Sequence, residues 1–233
     1  MPTRPTAMSS MLIMVDGSVY LGADHVAVNP RKGRMSTRLT SKKAFKQALI
    51  IADIAHMPEG LGEIDIIEGI NLDERNHVTL HTGPGCVVTN TGSPEDVFLV
   101  HDNCNYGGGS AGCSQLTKAP FDTEFNKVKG GVYAMDWTAD YISMYFFPRD
   151  SIPDDITNEK PNPVTWGTST ARFNGGSGCD INSHFQEHRV IFNTDFCGDW
   201  ASSLWQFDAR LTALSKKCED FVGAHPESYT EAY

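Results

Sequence analysis

The sequence predicts an all-β protein with a sandwich or jelly-roll architecture, and three features lead to this prediction. Short segments rich in Val, Ile, Phe and Tyr recur along the chain. Turn-forming Gly, Asn, Asp and Pro separate them, and a long helical period is almost absent. The candidate strands are 18–21, 35–40, 48–54, 63–68, 77–82, 96–101, 131–137, 141–147 and 188–194.

One short helix is expected near the C-terminus, where apolar residues recur at spacings of three and four. Ser203 is a candidate N-cap and Gly223 a stop. The stripe, which we expect to face the core, consists of Leu204, Phe207, Leu211, Leu214, Cys218 and Phe221. Residues 102–126 and 148–165 are expected to be long loops, the first pinned by two cysteines and the second stiffened by prolines.

The chain has 233 residues, and we expect a single domain over 1–233 with a sizeable core. Its 19 basic and 29 acidic residues give a formal charge of −10. Nucleic-acid and anionic-membrane binding need clustered Lys and Arg, so neither is expected, and a neutral substrate fits better. The apolar run 11–15 is too short for the central region of a secretion signal.

The cysteines form an even set without a C-x-x-C pair, which disfavours zinc ribbons and thioredoxin-like sites. They are Cys86, Cys104, Cys113, Cys179, Cys197 and Cys218. An extracellular disulfide set is the better interpretation, although the sequence does not choose the connectivity. Free buried thiols in a cytosolic protein are the alternative.

The most informative stretch is GEIDIIEGIN, residues 62–71, in which three carboxylates interrupt an apolar run. Glu63 and Asp65 are two residues apart, so on a strand they share one face. Glu68 is out of phase with them. One extra residue bulging out around 66–67 would rotate Glu68 onto the same face. A solvated acidic face on an edge strand is the alternative.

Two glutamates with an aspartate between them suit a retaining glycosidase. Such an enzyme needs a carboxylate nucleophile and a carboxylic acid as proton donor, roughly 5–5.5 Å apart. The middle aspartate can hydrogen-bond the nucleophile, and burial among like charges raises the pKa of the acid. His81 is predicted on the next strand, near the acids if the two strands are neighbours. A purely structural hydrogen-bonding role is the alternative for this histidine.

Two further patterns do not predict a site of their own. The segment from His184 to His188, with Glu187 between them, matches the H-x-x-E-H pattern of inverted zinc proteases. That site needs both histidines on one helix face, whereas this segment leads into the strand-like RVIFNTDF, so we expect no metal. The tryptophans are candidate sugar-stacking platforms or, by default, core residues. They are Trp137, Trp166, Trp200 and Trp205.

GEIDIIEGIN followed by HVTLHTGPGC resembles glycoside hydrolase family 16, in the fungal laminarinase-like group that cleaves β-1,3- and mixed β-1,3/1,4-glucans. VYLGADHVAV, LIIADIAHMP, GGVYAMDWTADYISMYFFPRDSIP and SHFQEHRVIFNTDFCGDWA are similar to segments of those enzymes in the same order. The resemblance implies a concanavalin A-like β-jelly-roll sandwich whose concave sheet holds the glucan. It also implies an extracellular endo-β-1,3(4)-glucanase, which we expect to be monomeric and to need no cofactor. A catalytically impaired carbohydrate-binding derivative is the alternative.

The resemblance also carries over site residues. It implies three catalytic carboxylates, which are Glu63 as the nucleophile, Asp65 as the assisting acid and Glu68 as the general acid/base. It implies three substrate-binding residues, which are Arg38 in STRLTSK, His81 in VTLHTG and Trp200 in CGDW.

The sequence departs from the family pattern just before the acids. Family members carry a Trp-rich segment similar to C-x-x-W-P-A-F-W at this point, and here HMPEGLGEIDIIEG runs directly across. The resemblance therefore implies that an internal strand is missing, together with terminal strands. The absent segment would take away a cysteine and orphan a partner among the six. Because it would leave an unpaired sheet edge, we expect poor activity from this chain.

Overall fold

The computed structural model describes residues 12–15, 17–56, 64–73, 75–107 and 110–230. The strands in these ranges are β1 (Leu12–Val15), β2 (Ser18–Leu21), β3 (Arg38–Phe45), β4 (Ala48–Ile54), β5 (Ile64–Glu68), β6 (Arg75–Leu80), β7 (Phe98–His101), β8 (Tyr106–Gly107), β9 (Ser110–Ala111), β10 (Cys113–Pro120), β11 (Gly131–Trp137), β12 (Tyr141–Pro148), β13 (Ala171–Asn174) and β14 (His188–Asn193). The α-helices are α1 (Asp122–Lys127), α2 (Asp154–Thr157), α3 (Ile181–His184), α4 (Asp199–Trp205), α5 (Ala209–Leu214) and α6 (Cys218–Ala224). Turns of 3₁₀ helix occupy Arg149–Ser151, Pro163–Thr165 and Pro226–Tyr229.

The chain forms two compact units. The first contains the described residues up to 40 and from 191 onward, and the second contains the described residues from 41 to 190. Helices α4 to α6 belong to the first unit, and both four-stranded sheets belong to the second. The expectation of a single domain over 1–233 stays a prediction.

The second unit is a sandwich of two antiparallel sheets. The front sheet has the strand order β5-β6-β10-β7, and the back sheet has the order β13-β12-β11-β4. Val78 and Leu80 of β6 point inward and pack in one buried cluster with Met135 of β11, Met144 of β12 and Phe173 of β13. This alternation along each strand buries one face of the front sheet and leaves the other for the site.

All nine candidate strands are present, and 18–21, 48–54 and 131–137 have the predicted bounds. The largest shift is in β3, which runs over 38–45 instead of 35–40. The sequence prediction missed β1, β13 and the short β8 and β9. The expected loop 148–165 also contains α2 and two 3₁₀ turns.

The prediction of a loop over 102–126 is wrong, because this segment contains β10, which lies between β6 and β7. Its inward-facing positions include Gln115 and Thr117, both fully buried, and polar residues at these positions hide the strand pattern. Tertiary partners satisfy them. The Gln115 side chain donates to the carbonyl of Arg172 at 2.7 Å, and the Thr117 hydroxyl donates to the carbonyl of Asn76 at 3.1 Å.

The predicted single C-terminal helix is three short helices, α4, α5 and α6. The chain breaks before α5 because the Asp208 carboxylate accepts the Arg210 backbone N–H at 2.8 Å and caps a new helix. As a result the stripe does not share one face. Leu211 is buried, whereas Phe207 and Leu214 are exposed.

All six cysteines are paired, so the prediction of disulfides is confirmed over the alternative of free thiols, and the expectation of an orphaned cysteine is wrong. Cys86–Cys179 and Cys104–Cys113 lie within the second unit, and Cys197–Cys218 joins α6 to the segment before α4 in the first. Within the described ranges, none of the helices combines the length and the apolar character that crossing a membrane requires.

Candidate active site

Strand β5 carries a β-bulge at the position that the sequence predicts. Asp65 pairs with Thr79 of β6, but Glu68 pairs with His77, so three steps along β5 match two steps along β6. Paired residues of antiparallel strands point to the same face, and so do residues two apart. The bulge therefore places Asp65 and Glu68 on one face of the front sheet, and the prediction is confirmed for these two acids.

Asn76 fastens the bulge from the neighbouring strand. Its side-chain oxygen accepts the backbone N–H of Glu68 at 2.9 Å, and its side-chain nitrogen donates to the carbonyl of Ile66 at 2.8 Å. Asn76 is buried, so these bonds satisfy both the asparagine amide and the backbone groups that the bulge removes from the ladder. The sequence reasoning missed this residue, because β6 contains several polar residues and nothing in the local sequence distinguishes Asn76 from the others.

Asp65 is buried and held by His81, which follows the end of β6. The Nε2 atom of His81 donates to Oδ2 of Asp65 at 3.1 Å. Beside the His81 ring lies Gly112, whose φ is +92°. A Cβ at Gly112 would lie 2.5 Å from Nδ1 of His81, so glycine leaves the space that this ring occupies.

Glu68 is also buried, and the pKa of its carboxyl is raised from 4.5 to about 7, chiefly by burial. The negative charge of Asp65 contributes to this rise, whereas the hydroxyl of Thr79, which donates to Oε2 at 2.9 Å, lowers the pKa. The charge of His81 also lowers it. A carboxyl with this pKa keeps its proton over much of the range below neutral pH, as a general acid must.

His77 and Asp73 complete the surroundings of Glu68. Burial lowers the pKa of His77, although the Asp73 carboxylate, 3.9 Å from its Nε2, opposes that shift. The Asp73 charge also contributes to the raised pKa of Glu68. Sequence reasoning missed Thr79 and His77. Both alternate with His81, which directly follows β6, so the side chains of all three point to one face.

The site face continues across the whole front sheet. Cross-strand pairing defines two rows of side chains that point to the same face as the acids. One row contains Glu68, His77, Leu116 and Phe98, and the other contains Asp65, Thr79, Ser114 and His101. Both rows end on β7 at exposed side chains, which gives an elongated surface with an aromatic residue at its edge.

Three other residues were predicted for the site, and their roles stay predictions. Glu63 lies outside the described residues. Arg38, which is exposed, and Trp200, which is half-buried, belong to the first unit, whereas Asp65, Glu68 and His81 belong to the second. The other three tryptophans are core residues, as their default interpretation predicts, and they are Trp137, Trp166 and Trp205.

The H-x-x-E-H segment does not form a helical metal motif, because α3 ends at His184 and His188 begins β14. His184 lies near Cys86 and Cys179, and their ligand atoms are within 4.8 Å of one another. The two sulfurs are joined in a disulfide, which removes the thiolates that a metal would need.

Known proteins of similar sequence show which family this chain belongs to. Residues 3–233 match the family model described as XgeA-like, catalytic GH16 domain. The chain belongs to glycoside hydrolase family 16. Within this family it is 39% identical over 252 residues to an endo-1,3(4)-beta-glucanase of Arthroderma benhamiae, covering 97% of this chain and 55% of that protein.

Another family 16 relative, named a probable endo-1,3(4)-beta-glucanase of Aspergillus clavatus, is 37% identical over 260 residues. That match covers 99% of this chain and 40% of the relative. The chain thus spans about half the length, or less, of these curated relatives.

Solved family 16 structures share the fold. An elongating GH family 16 beta-1,3-glucosyltransferase superposes with a TM-score of 0.83 at 35% identity, covering 96% of this chain and 83% of that one. GH16 laminarinase 16A from Phanerochaete chrysosporium, solved with 6-O-glucosyl-laminaritriose in its donor and acceptor sites, has the same TM-score at 30% identity and the same coverage. The predicted jelly-roll fold is therefore confirmed.

Proposed function

We propose that this chain is an extracellular, retaining endo-β-1,3(4)-glucanase that hydrolyses β-1,3- or mixed-linkage β-glucans. One observation carries the proposal. The β5 bulge brings Glu68, whose pKa is raised to about 7, onto the same sheet face as the His81-bound Asp65. Glycosidic bond cleavage requires a carboxyl that is protonated before it donates, and the raised pKa of Glu68 suits this role.

In the proposed first step, the carboxylate of Glu63 attacks the anomeric carbon and the glycosidic C–O bond breaks. Glu68 gives its proton to the departing oxygen, and a covalent glycosyl-enzyme remains on Glu63. In the second step, Glu68 takes a proton from water as the water oxygen attacks the same carbon and releases Glu63. The role of Glu63 rests on its match to the family motif.

Asp65 has two effects in this scheme. Its negative charge raises the pKa of Glu68 and so helps to keep the acid protonated before cleavage. It also lies between the two glutamates in sequence, where it can hydrogen-bond the nucleophile. His81 fixes the orientation of Asp65 through the Nε2 contact, and the Gly112 backbone leaves room for that ring.

The substrate class and location follow from chemistry and family. The names of the relatives support a β-glucan substrate, and the laminarinase structure contains a β-1,3-linked oligosaccharide with a 6-O-glucosyl branch. The two rows of side chains that define the site face contain no Lys or Arg, which suits a neutral polysaccharide. The three disulfides support an oxidising, extracellular location. A monomeric state stays a prediction.

The decisive experiment measures reducing ends released from laminarin and from a mixed-linkage β-glucan, and follows the anomeric configuration of the first product by NMR. We expect products of retained β-configuration, with activity lost in Glu63→Gln and in Glu68→Gln. Glu95→Gln, which neutralises an exposed glutamate, is the control and should leave activity unchanged. An inverted product, or unchanged activity in Glu68→Gln, would contradict the mechanism. Glucan binding without any hydrolysis would favour the impaired derivative.

A further inference from the structure

An exposed aromatic residue lies beside the acids and has no part in the proposed mechanism. Tyr106, in β8, packs perpendicular to the His81 ring with 5.4 Å between ring centroids. His81 in turn contacts Asp65. Tyr106 is therefore separated from a predicted catalytic carboxylate by a single side chain.

The backbone that carries Tyr106 is firmly held. Its N–H donates to the carbonyl of Thr82 at 2.8 Å, and the Thr82 N–H donates to the carbonyl of Cys104 at 2.7 Å. The buried Cys104–Cys113 disulfide closes the base of the same hairpin, where Cys113 pairs with Leu80 of β6. The position of Tyr106 is thus fixed before any ligand arrives, which lowers the entropic cost of binding.

Despite this support, 72% of Tyr106 is exposed. A large aromatic ring that is exposed to water contributes little to folding stability. Its exposure on a hydrogen-bonded segment near a site therefore indicates a ligand contact. β-Linked glucosyl units suit such a ring, because their hydroxyls are equatorial and their axial C–H groups make both ring faces apolar. A stiff tyrosine ring also loses little side-chain entropy on binding.

We propose that Tyr106 is a sugar-binding residue that stacks on the apolar face of a glucosyl unit next to the cleavage point. This inference rests on the proposed β-glucanase function and adds a specificity residue to it. The stacked unit is held by ring contact, and the hydroxyl of Tyr106 is not required.

The test measures binding of a β-1,3-linked gluco-oligosaccharide by calorimetry in the full chain carrying Glu68→Gln, so that the ligand is not consumed. Adding Tyr106→Ala should raise Kd about tenfold or more, whereas Tyr106→Phe should leave it within about threefold. Phe207→Ala, which removes another highly exposed ring, is the control and should have no effect. In the active chain, Tyr106→Ala should raise KM and change kcat by less than about twofold. An unchanged melting temperature excludes loss of fold as the cause.

Two results would overturn the stacking role while leaving the hydrolase intact. One is an unchanged Kd in Tyr106→Ala, and the other is an equal loss in Tyr106→Phe, which would assign the contact to the hydroxyl. Absence of binding by the Glu68→Gln parent would overturn this inference and the β-glucan assignment together. Binding that depends on the ring, in a chain that hydrolyses nothing, would support the inference and reject the enzyme.

Discussion

The chemistry of the site depends on the balance of a few contacts at Glu68. Burial and the Asp65 charge favour the neutral carboxylic acid, while the Thr79 hydroxyl bond favours the carboxylate. The net result of these opposing influences is a pKa of about 7. Replacing Asp65 should therefore lower this pKa, and replacing Thr79 should raise it.

This balance predicts the pH dependence of catalysis. The general acid works only when protonated, so kcat/KM should fall as pH rises through about 7. Thr79→Val removes a bond to the carboxylate and should move this alkaline limb to higher pH. Asp65→Asn removes a negative charge and should move it to lower pH, in addition to lowering the rate. Parallel shifts in both variants, measured as kcat/KM profiles, would show that another group controls the limb.

A second prediction concerns Gly112. Gly112→Ala introduces a methyl group 2.5 Å from Nδ1 of His81 and 2.6 Å from the backbone carbonyl oxygen of Leu80, at a backbone φ of +92°. The ring and the end of β6 must therefore shift, which disturbs the contact of His81 with Asp65. We expect a stability loss of about 1–3 kcal/mol and a fall in kcat of about tenfold. Gly167→Ala is the matched control, because its φ is +77° and nothing lies within 4 Å of the added methyl. Equal effects on kcat in both variants would assign the loss to backbone strain alone.

Among the elements, β5 decides the site because its bulge corrects the phase of the acids. A regular strand would point Asp65 and Glu68 to opposite faces. The extra residue costs ladder hydrogen bonds, which the Asn76 side chain replaces with two bonds of its own. These two bonds, which we call the Asn76 clamp, therefore stabilise the bulge of β5 from the neighbouring strand β6.

Removing the clamp should affect both stability and activity. Asn76→Ala leaves the Glu68 N–H and the Ile66 carbonyl without these partners, which should cost about 1–3 kcal/mol of unfolding free energy. Because Glu68 then loses its fixed position, kcat should fall more than KM rises. Asn76→Asp keeps an acceptor for the Glu68 N–H and should be less damaging to kcat, although it adds a charge near the acids. Chemical unfolding and steady-state kinetics measure the two effects. An unchanged kcat in Asn76→Ala would contradict the role of Asn76 in positioning Glu68.

At the scale of the whole molecule, disulfides supply cross-links of different reach. In the second unit, Cys86–Cys179 spans 93 residues, whereas Cys104–Cys113 spans 9. Loop-closure entropy in the unfolded chain predicts contributions of about 4.7 and about 2.7 kcal/mol. The longer loop should therefore contribute more to stability.

Paired Cys→Ser replacements test this ranking. Replacing Cys86 and Cys179 should lower the unfolding free energy by about 2 kcal/mol more than replacing Cys104 and Cys113, as measured by denaturant titration. The Cys197–Cys218 pair, which spans 21 residues in the first unit, provides a further comparison. A larger loss from the Cys104–Cys113 pair would show that local geometry around Tyr106 outweighs chain entropy.

The fold also has a buried anchor in the first unit that no sequence pattern indicated. Arg34 is buried and donates to the carbonyl of Val222 from Nε at 2.9 Å and to that of Asp24 at 2.8 Å. Its guanidinium also lies 5.0 Å from the centroid of the Tyr229 ring. These partners are far apart in sequence, so the arginine joins the two ends of the described chain.

The sequence by itself determined the strand-rich class, most strand positions, the family and the three-acid motif. These depend on local periodicity and on residues that lie close together along the chain. The bulge could also be predicted, because a regular strand would bury the charge of Glu68 among the inward-facing isoleucines, and one extra residue avoids that cost.

Only the tertiary structure decided which distant groups surround the acids. The position of β10 between β6 and β7, the Asn76 clamp, the disulfide pairing and the contact of Tyr106 with His81 all join segments that are remote in sequence. Buried polar residues such as Gln115 look like loop residues until their partners are known. The pKa of Glu68 belongs to the same class, because desolvation and neighbouring charge exist only once the chain has folded around the carboxyl.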